Sequence, residues 1–398
     1  MIKNTSLIDR FLRYARIDTQ SSEESGLSPS TEKQRDLAAV LISELNELGA
    51  DVDFDEEHCY IYASLPGNNA YPALGFVAHM DTAPAVTGTG VQPRLIENYQ
   101  GEDAILKTED FPELLEHIGE DLIATDGTTL LGADDKAGVA EIMEMLSYYA
   151  SHPEVDHRPI AVAFTPDEEI GEGTRHFDPS RFAAKEAYTA DGGKLGELEY
   201  ECFNAAFASV VIEGKNVHPG KAKGQMVNAC TIAADFIRSF PTAEVPEKTE
   251  GYEGFYHLDS MRGEVEQMTL NYILRDFTKE GLEERKQTVL QIAEKLNASL
   301  DKPRVTVSIK DQYRNMREVL EDHMELIDRV KTIMDAHGVI PITRPIRGGT
   351  DGASLSFMGI PCPNLCTGGY NFHSRFEYAS VQEMETCLDI LIDLVKTN

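Results

Sequence analysis

Histidines and carboxylates stand at the ends of several apolar stretches of this sequence. The full set comprises His79, Asp81, Asp134, Asp135, Glu168, Glu169, Asp191 and His373. Imidazole and carboxylate together form a donor set that suits Zn²⁺, and Mn²⁺ or Co²⁺ also accept it. Two metal ions about 3.5–4 Å apart that share one bridging carboxylate would need about this many ligands. The residues therefore predict hydrolytic chemistry, in which a metal pair polarises a carbonyl group and activates water.

Each of these pairs also has an ordinary structural explanation. Aspartates placed before a helix, such as Asp134 and Asp135, commonly cap that helix without any ligand. A histidine and an aspartate two residues apart, as at His79 and Asp81, can meet in a loop by coincidence. Metal chemistry is therefore favoured only because several such pairs occur in one chain.

Buried strands of an α/β sheet can bring these residues together. Three apolar runs predict such strands, at residues 73–78, 159–164 and 187–190. Asp134 and Asp135 follow a short extended run at 128–131 and precede a helical pattern at 139–148. Because ligands of open α/β sheets bind at the carboxyl ends of the strands, we expect all these side chains at one edge of the sheet.

Further elements surround this predicted sheet. Helices are predicted at residues 1–14, 30–48 and 318–337 and from Val381 onward, and extended segments at 52–54 and 59–65. A capping box at Ser30 begins the second helix, and Gly49 ends it. Residues 83–127 are rich in glycine, proline and aspartate and predict an irregular excursion with at most one hairpin.

A second pattern begins near residue 205. Its predicted elements follow the order β-α-β-β-α-β, at residues 208–212, 227–240, 256–260, 269–276, 282–299 and 304–309. This order is the ferredoxin-like split unit, a complete small domain. We therefore expect an inserted domain at 205–313 between two parts of a catalytic domain, 1–204 and 314–398. The last part would complete the first sheet with an apolar segment at 361–366.

The composition indicates a globular protein without nucleic-acid or membrane partners. The 398 residues suffice for two domains, 41% of them are hydrophobic, and no segment approaches a membrane span. A net charge of -32 and the lack of a basic block argue against phosphate contacts. Six scattered cysteines without a secretory signal indicate reduced thiols and a cytoplasmic location.

The order of the motifs resembles that of a known enzyme family. His79-x-Asp81, Gly132-Ala-Asp134-Asp-Lys-x-Gly138, Asp167-Glu168-Glu169-x-Gly171, Asp191-Gly-Gly193 and Asn371-Phe-His373 are similar to motifs of the co-catalytic zinc metallopeptidases related to aminoacylase and glutamate carboxypeptidase. Within that family, residues 165–173, 201–206, 216–220 and 223–229 resemble the bacterial tripeptide aminopeptidases. The resemblance implies an α/β fold, with a zinc-exopeptidase-like sheet, helices on both faces and an inserted ferredoxin-like domain.

The resemblance also implies a role for each motif residue. His79 and Asp191 would hold one Zn²⁺, Glu169 and His373 would hold the second, Asp134 would bridge the two, Asp81 would orient His79, and Glu168 would be the general base that takes a proton from metal-activated water. It further implies a cis peptide bond between Asp134 and Asp135. The expected reaction is removal of the N-terminal residue from a tripeptide.

Substrate-binding residues are expected in the inserted domain and near it. The resemblance suggests that His218 stabilises the oxyanion when the domains close. Arg275 and Arg347 are the candidates for binding the substrate carboxylate. A histidine in a turn and arginines in surface salt bridges are the ordinary alternatives for these residues. The inserted domain is also a candidate homodimer interface.

Other functions on the same fold stay open. A dipeptidase or an N-acyl-amino-acid hydrolase would use the same fold and metals, and a non-catalytic metal-binding homologue would have lost the base. Glu168 is present, which disfavours the last of these. The remaining histidines are expected in polar loops or on helix faces without a functional role, at His117, His152, His157, His176, His323 and His337.

Overall fold

The computed structural model describes residues 4–397 of the chain. These residues form two compact units. The first comprises the chain up to Tyr200, Met316–Arg344 and the chain from Thr350 onward. The second comprises Glu201–Asn315 and Pro345–Gly349. The predicted helix at 1–14 begins partly outside the described residues.

The second unit is larger than the insert expected at 205–313. It includes Pro345–Gly349, which the sequence had placed in the catalytic domain. The reason is Arg347, whose Nη1 donates hydrogen bonds to the backbone oxygens of Gly251 and Glu253 at 2.7 and 2.9 Å. Its guanidinium also lies 5.1 Å from the ring centroid of Phe203. A long-range contact of this kind leaves no signal in the local sequence.

The secondary structure comprises strands, α-helices and short 3-10 turns. The strands are β1 (Asp51–Asp55), β2 (Tyr60–Leu65), β3 (Leu74–His79), β4 (Arg94–Ile96), β5 (Leu122–Ala124), β6 (Ile160–Thr165), β7 (Ala187–Gly192), β8 (Leu198–Glu199), β9 (Asn204–Glu213), β10 (Phe255–Gly263), β11 (Gln267–Asp276), β12 (Val305–Tyr313), β13 (Asn364–Cys366), β14 (Gly369–Tyr370) and β15 (Tyr378–Ser380). The helices are α1 (Thr5–Ala15), α2 (Gln34–Glu47), α3 (Ala133–Ser151), α4 (Ala229–Arg238), α5 (Lys279–Ser299), α6 (Arg317–Leu320), α7 (Met324–Ala336), α8 (Asp351–Phe357) and α9 (Val381–Val395). The 3-10 turns are Pro112–His117, Glu168–Ile170, Pro219–Lys221 and Pro246–Lys248.

A seven-stranded mixed sheet forms the centre of the first unit. Its strand order is β1-β2-β6-β3-β7-β13-β8. The three neighbours β6, β3 and β7 run parallel to one another, and every residue of β3 and β6 is buried. Continuous apolar strands of this type lie in the middle of sheets that are covered on both faces. The carboxyl ends of these three strands therefore lie side by side at one edge of the sheet.

A small antiparallel sheet lies in the same unit, with the order β14-β15-β5-β4. The region expected to be irregular, 83–127, supplies β4 and β5, which pair antiparallel across a long connection that contains the 3-10 turn Pro112–His117. The carboxyl-terminal strand β15 pairs with β5. The loop between β14 and β15 contains His373.

The second unit has the predicted β-α-β-β-α-β order. Its antiparallel sheet has the strand order β10-β11-β9-β12, with α4 and α5 packed against it. Numbered within the unit, this order is 2-3-1-4, which is the ferredoxin-like arrangement. A hydrophobic core that includes Val210, Phe236, Leu270 and Val289 belongs to this unit alone.

Three local predictions were wrong. The run 128–131 is a loop and not a strand. The helix expected from Ser30 begins at Gln34 instead, and the Ser30 Oγ accepts a hydrogen bond from the Ser22 backbone N–H at 2.9 Å rather than capping a helix. The helix expected at 318–337 is interrupted between α6 and α7.

Among residues 4–397, no helix is long and apolar enough to cross a membrane.

Candidate metal centre

The three neighbouring parallel strands deliver ligand residues to one edge of the central sheet. His79 is the last residue of β3, and Asp191 is the next-to-last residue of β7. Glu168 and Glu169 form a 3-10 turn that follows β6 after two further residues. Residues distant in the sequence thus become neighbours because the carboxyl ends of β3, β6 and β7 are neighbours.

Asp134 reaches this edge from the first turn of α3. The peptide bond between Asp134 and Asp135 is cis, as the family resemblance implies. Asp134 has φ -82° and ψ 105°, which are outside the helical region even though it lies in the first turn of α3. Gly132, before it, has φ 78°, a left-handed conformation that favours glycine.

The two carboxylate oxygens of Asp134 face two different histidines. Its Oδ1 lies 2.9 Å from His79 Nε2, and its Oδ2 lies 3.2 Å from His373 Nε2. His79 Nε2 also lies 3.2 Å from Asp191 Oδ1, and His373 Nε2 lies 2.8 Å from Glu169 Oε2. Asp134 therefore joins two groups, each consisting of one imidazole and two carboxylates.

Each group has the donor set and the spacing of a metal site. The ligand atoms of His79, Asp134 and Asp191 lie within 4.8 Å of one another, and the same holds for Asp134, Glu169 and His373. One nitrogen and two oxygens per ion, with one shared carboxylate, match a binuclear site for Zn²⁺ or a similar divalent ion. The sequence-predicted ligands are thus brought together as two adjoining sets.

Two observations indicate that positive charge belongs here. Glu169 Oε1 is buried and has no hydrogen-bond partner within the described structure. Burial, together with the nearby Asp134 carboxylate, raises the pKa of Glu169 to about 7. Burial also raises the pKa of Asp191 to about 7. The carboxylates at this edge carry more negative charge than the two imidazoles can neutralise. Bound cations would neutralise the remainder.

The histidines show the complementary effect. Hydrogen bonds to Asp134 and Glu169 raise the pKa of His373 to about 11. Burial lowers the pKa of His79, but the facing carboxylates of Asp191 and Asp134 raise it by more, so the net shift is upward. A divalent ion would compete with these protons for the same nitrogen and oxygen atoms.

Asp81 contacts both the first histidine and the glutamate turn. The Nδ1 atom of His79 lies 3.1 Å from the Asp81 backbone oxygen and 3.4 Å from its Oδ1. The Asp81 carboxylate accepts hydrogen bonds from the backbone N–H groups of Glu168 and Glu169 at 3.0 and 3.3 Å. Asp81 is fully buried. Its backbone therefore orients the imidazole, while its side chain fixes the turn that carries the predicted base.

Glu168 has the environment of a general base. Burial and the neighbouring Asp191 charge raise the pKa of Glu168 well above its ordinary value. A raised pKa strengthens a carboxylate as a proton acceptor, provided that it is ionised when the reaction begins. Glu168 takes no part in either ligand group, as expected for a base rather than a ligand.

Sequence reasoning missed several residues that support this edge. Asp135 Oδ2 accepts a hydrogen bond from the His79 backbone N–H at 3.2 Å. Asp167 accepts hydrogen bonds from Gln34 and Ser30, and Asp351 accepts one from Thr165 Oγ1 at 2.7 Å. Glu377 stands four residues after the predicted ligand His373, but it accepts a hydrogen bond from Leu131, far away in the sequence.

The predicted substrate-binding residues lie in the second unit. His218 is exposed, and its Nδ1 accepts a hydrogen bond from the Gly220 backbone N–H at 3.1 Å. Arg275 Nη1 donates to Gln312 Oε1 at 3.0 Å. Both Nη atoms of Arg347 donate to the chain between Thr249 and Glu253. These three residues stay predictions as substrate ligands.

A further histidine and carboxylate group occurs in the described first unit. His117 Nδ1 lies 2.8 Å from Glu120 Oε2 and 4.0 Å from Glu383 Oε1. The other Glu383 oxygen accepts hydrogen bonds from Tyr370 and from the Leu195 backbone N–H. Hydrogen bonds within the protein already account for these contacts, so the group fits a structural hydrogen-bonded cluster.

Comparison with known proteins identifies the family. The profile of peptidase family M20/M25/M40 matches residues 127–397. The chain belongs to this family. A peptidase T of Desulfitobacterium hafniense is 52% identical to this chain over 98% of both chains, and a peptidase T of Clostridium perfringens is 50% identical with the same coverage.

Solved structures of M20-type proteins share the fold. The aminopeptidase PepT of Bacillus cereus matches with a TM-score of 0.78 at 23% identity over 99% of both chains. A tripeptidase of Staphylococcus aureus matches with a TM-score of 0.80 at 21% identity, over 99% of this chain and 98% of that one. A dinuclear metal-binding peptidase of Bacillus subtilis has a TM-score of 0.67 at 14% identity, over 98% of this chain and 96% of that one. The predictions of the family, of the fold class and of a peptide hydrolase are confirmed.

Proposed function

We propose that this M20 peptidase removes the N-terminal residue from tripeptides with the help of two Zn²⁺ ions. The single observation that carries the metal part is Asp134, whose two oxygens face separate imidazole and carboxylate groups. The substrate part is supported by the peptidase T relatives, which are about half identical to this chain along nearly its whole length. His79 and Asp191 would hold one ion, Glu169 and His373 the other, and Asp134 both.

Two bound divalent ions would polarise the substrate carbonyl and acidify water, which is the chemistry that side chains alone cannot supply. Glu168 then accepts a proton from the attacking water and delivers it to the leaving amine. Burial of Glu168 suits it to both steps, because a carboxyl with a raised pKa holds a proton at neutral pH once it has received it. Asp81 keeps Glu168 in place through the backbone of its turn.

The tautomer of His218 supports its proposed role toward the substrate oxyanion. Because its Nδ1 accepts the Gly220 hydrogen bond, its proton resides on Nε2, which can donate. Arg275 and Arg347 both stay candidates for the substrate carboxylate. Arg347 uses both Nη atoms on the loop between Thr249 and Glu253, and Arg275 Nη1 donates to Gln312 Oε1.

A substrate series tests the proposed specificity. Hydrolysis of Ala-Ala, Ala-Ala-Ala, Ala-Ala-Ala-Ala and N-acetyl-alanine by the zinc-loaded protein is compared through kcat/KM. We expect the tripeptide to exceed each of the others by about tenfold or more, since a fixed guanidinium can reach the carboxylate of only one length. A preference for Ala-Ala or for N-acetyl-alanine would instead support the dipeptidase or the N-acyl-amino-acid hydrolase.

Metal identity, quaternary structure and compartment are part of the same proposal. Elemental analysis of purified protein should give two zinc ions per chain, and manganese or cobalt in their place would revise the ion but not the site. We also propose a homodimer formed through the second unit. Light scattering coupled to size-exclusion chromatography measures the mass directly, and a monomer at micromolar concentration would contradict the dimer. A cytoplasmic site of action stays a prediction.

A further inference from the structure

Glu377 is a buried carboxylate that contacts the loop of the bridging aspartate. Its exposed fraction is 2%, and it lies four residues after His373, between β14 and β15. Its Oε2 accepts hydrogen bonds from the backbone N–H groups of Leu131 and Gly132, both at 2.8 Å. Its Oε1 accepts a third, from the Asp134 N–H at 3.0 Å.

These three N–H groups need an acceptor from elsewhere in the chain. Leu131 and Gly132 directly precede α3, and Asp134 lies in its first turn, where backbone N–H groups have no partner within a helix. Buried N–H groups without acceptors cost about 1–3 kcal/mol each. A single carboxylate, with two oxygens and no proton, is the side chain that can satisfy all three together.

The contact also links two ligand-bearing segments that are distant in sequence. One end of the link is the loop that places Asp134, and the other is the segment that places His373. By contrast, His79 and Asp191 lie in strands of the central sheet, whose ladders hold them independently of Glu377. Asp134 belongs to both ligand groups, but only the group with Glu169 and His373 has two ligands on the segments that Glu377 joins. This group should therefore depend on Glu377 more strongly than the other.

We propose that Glu377 is a positioning residue that sets the distance between Asp134 and His373 and thereby the affinity of the ion they share with Glu169. The inference rests on the proposed function only for the presence of metal, and not for the identity of the substrate. Glu377 itself ligates no ion and touches no reacting atom. It acts through the backbone of the Asp134 loop.

The test measures binding of Zn²⁺ alone by competition with a chromophoric chelator. Glu377→Gln keeps the length of the side chain but replaces one acceptor oxygen with an NH₂ group that cannot accept. We expect the ion held by Asp134, Glu169 and His373 to lose about 10–100-fold in affinity, the range found when a residue that orients metal ligands is removed. In the Co²⁺-substituted variant, the visible absorption of this ion should change more than that of the ion held by His79, Asp134 and Asp191.

Glu144→Gln is the matched control. Glu144 is a buried carboxylate on α3 that accepts hydrogen bonds from Ser6 and Arg10, away from both ligand groups. The Glu144→Gln variant should have a lower free energy of unfolding but the same affinity for both ions. If Glu377→Gln does not fold, as judged by circular dichroism, Glu377→Asp takes its place, because it keeps the charge and moves the oxygens back by one methylene.

Retention of both ions with unaltered affinity in the folded Glu377 variant would overturn the proposal, and so would an equal loss in Glu144→Gln. Activity at saturating Zn²⁺ gives a second readout. We expect kcat to recover at least partly when excess Zn²⁺ refills the weakened site. Because Zn²⁺ binding is measured without peptide, an error in the assigned substrate would leave this result unchanged.

Discussion

At the scale of single residues, the candidate centre is determined by which oxygen faces which nitrogen. Asp134 presents one oxygen to His79 and the other to His373, which is the arrangement that the proposed bridging role requires. Asp81 orients His79 mainly with its backbone and uses its carboxylate for the Glu168 turn. Residue types predicted which side chains could be ligands. Which atom of each residue makes which contact is seen only in the structure.

Replacing the proposed base should separate metal binding from catalysis. Glu168→Gln is expected to retain both ions, since Glu168 belongs to neither ligand group, and to lose about 10²–10⁴-fold in kcat, the usual contribution of general acid–base catalysis. Metal content is measured by elemental analysis and turnover with Ala-Ala-Ala. Glu172→Gln, which alters a nearby glutamate paired with Arg175 at 3.2 Å, is the control. Turnover equal to that of the control would remove Glu168 from this role.

A buried glutamate outside the centre predicts a dependence of stability on pH. Glu141 on α3 is fully buried, and both its oxygens have no partner within the described structure. Burial raises the pKa of Glu141 well above its ordinary value, so the folded protein holds this proton to a higher pH than the unfolded chain does. Above the unfolded-state pKa the unfolded chain releases this proton and the folded chain does not, so the contribution of Glu141 to stability falls as pH rises, by at most about 1.4 kcal/mol per pH unit.

Glu141→Gln should remove this dependence. The free energy of unfolding of the variant relative to the unaltered protein is therefore expected to increase between about pH 5 and about pH 8. Urea unfolding at both pH values, on protein freed of metal, measures it. Glu144→Gln again serves as control, because its carboxylate is paired with Arg10 at 3.1 Å. An identical difference at the two pH values would show that Glu141 is ionised in the folded protein.

At the scale of elements, the centre depends on how closely α3 approaches β7. Gly138 lies on α3 one turn after Asp134, and a Cβ at this position would lie 1.8 Å from the backbone oxygen of Ala190. Ala190 precedes the ligand Asp191. Glycine is therefore required so that the helix carrying the bridging aspartate can contact the strand carrying another ligand.

Gly138→Ala should thus weaken both folding and metal binding. The Cβ meets rigid backbone rather than a flexible side chain, so we expect a loss of about 1–3 kcal/mol or more in the free energy of unfolding, with reduced Zn²⁺ affinity. Gly348→Ala, where the nearest atom lies 3.9 Å from the added Cβ, is the control and should change neither. Thermal unfolding and chelator competition provide the two measurements. A Gly138 variant as stable as the control would contradict the close approach.

At the scale of the whole molecule, the two units carry different parts of the proposed function. Every candidate metal ligand belongs to the first unit, whereas the second has its own hydrophobic core and contains His218, Arg275 and Arg347. A metal ion that binds only the folded state increases the free energy of unfolding, and the increase grows with the logarithm of the free ion concentration divided by Kd. The ions should therefore stabilise one unit directly.

Removal of metal should accordingly affect the two units unequally. On chelation we expect amide hydrogen exchange to increase in β3, β6 and β7 and in the loop before α3, while β9 and β11 of the second unit change little. Mass spectrometry of exchanged peptides measures this, and restoration by Zn²⁺ but not by Mg²⁺ serves as the control. A uniform increase over both units would show that the metal stabilises the molecule as a single cooperative unit.

The sequence by itself determined much of this protein. Apolar runs and glycine positions predicted β3, β6 and β7 and the order of the inserted domain, because alternation and burial leave a local pattern. The predicted ligand residues lie together because side chains at neighbouring strand ends converge in an α/β sheet. Local signals failed at Ser30, whose Oγ accepts a hydrogen bond from the Ser22 backbone N–H instead of capping a helix.

Only the tertiary structure decided which atoms meet. No local pattern relates Glu377 to Leu131, or Arg347 to Gly251, because each of these contacts joins parts of the chain separated by many residues. Asp134 likewise faces both His79 and His373 only because the fold brings together segments that are far apart in the sequence. Local sequence determines the conformation of short segments, whereas hydrogen bonds between distant segments depend on packing of the whole chain.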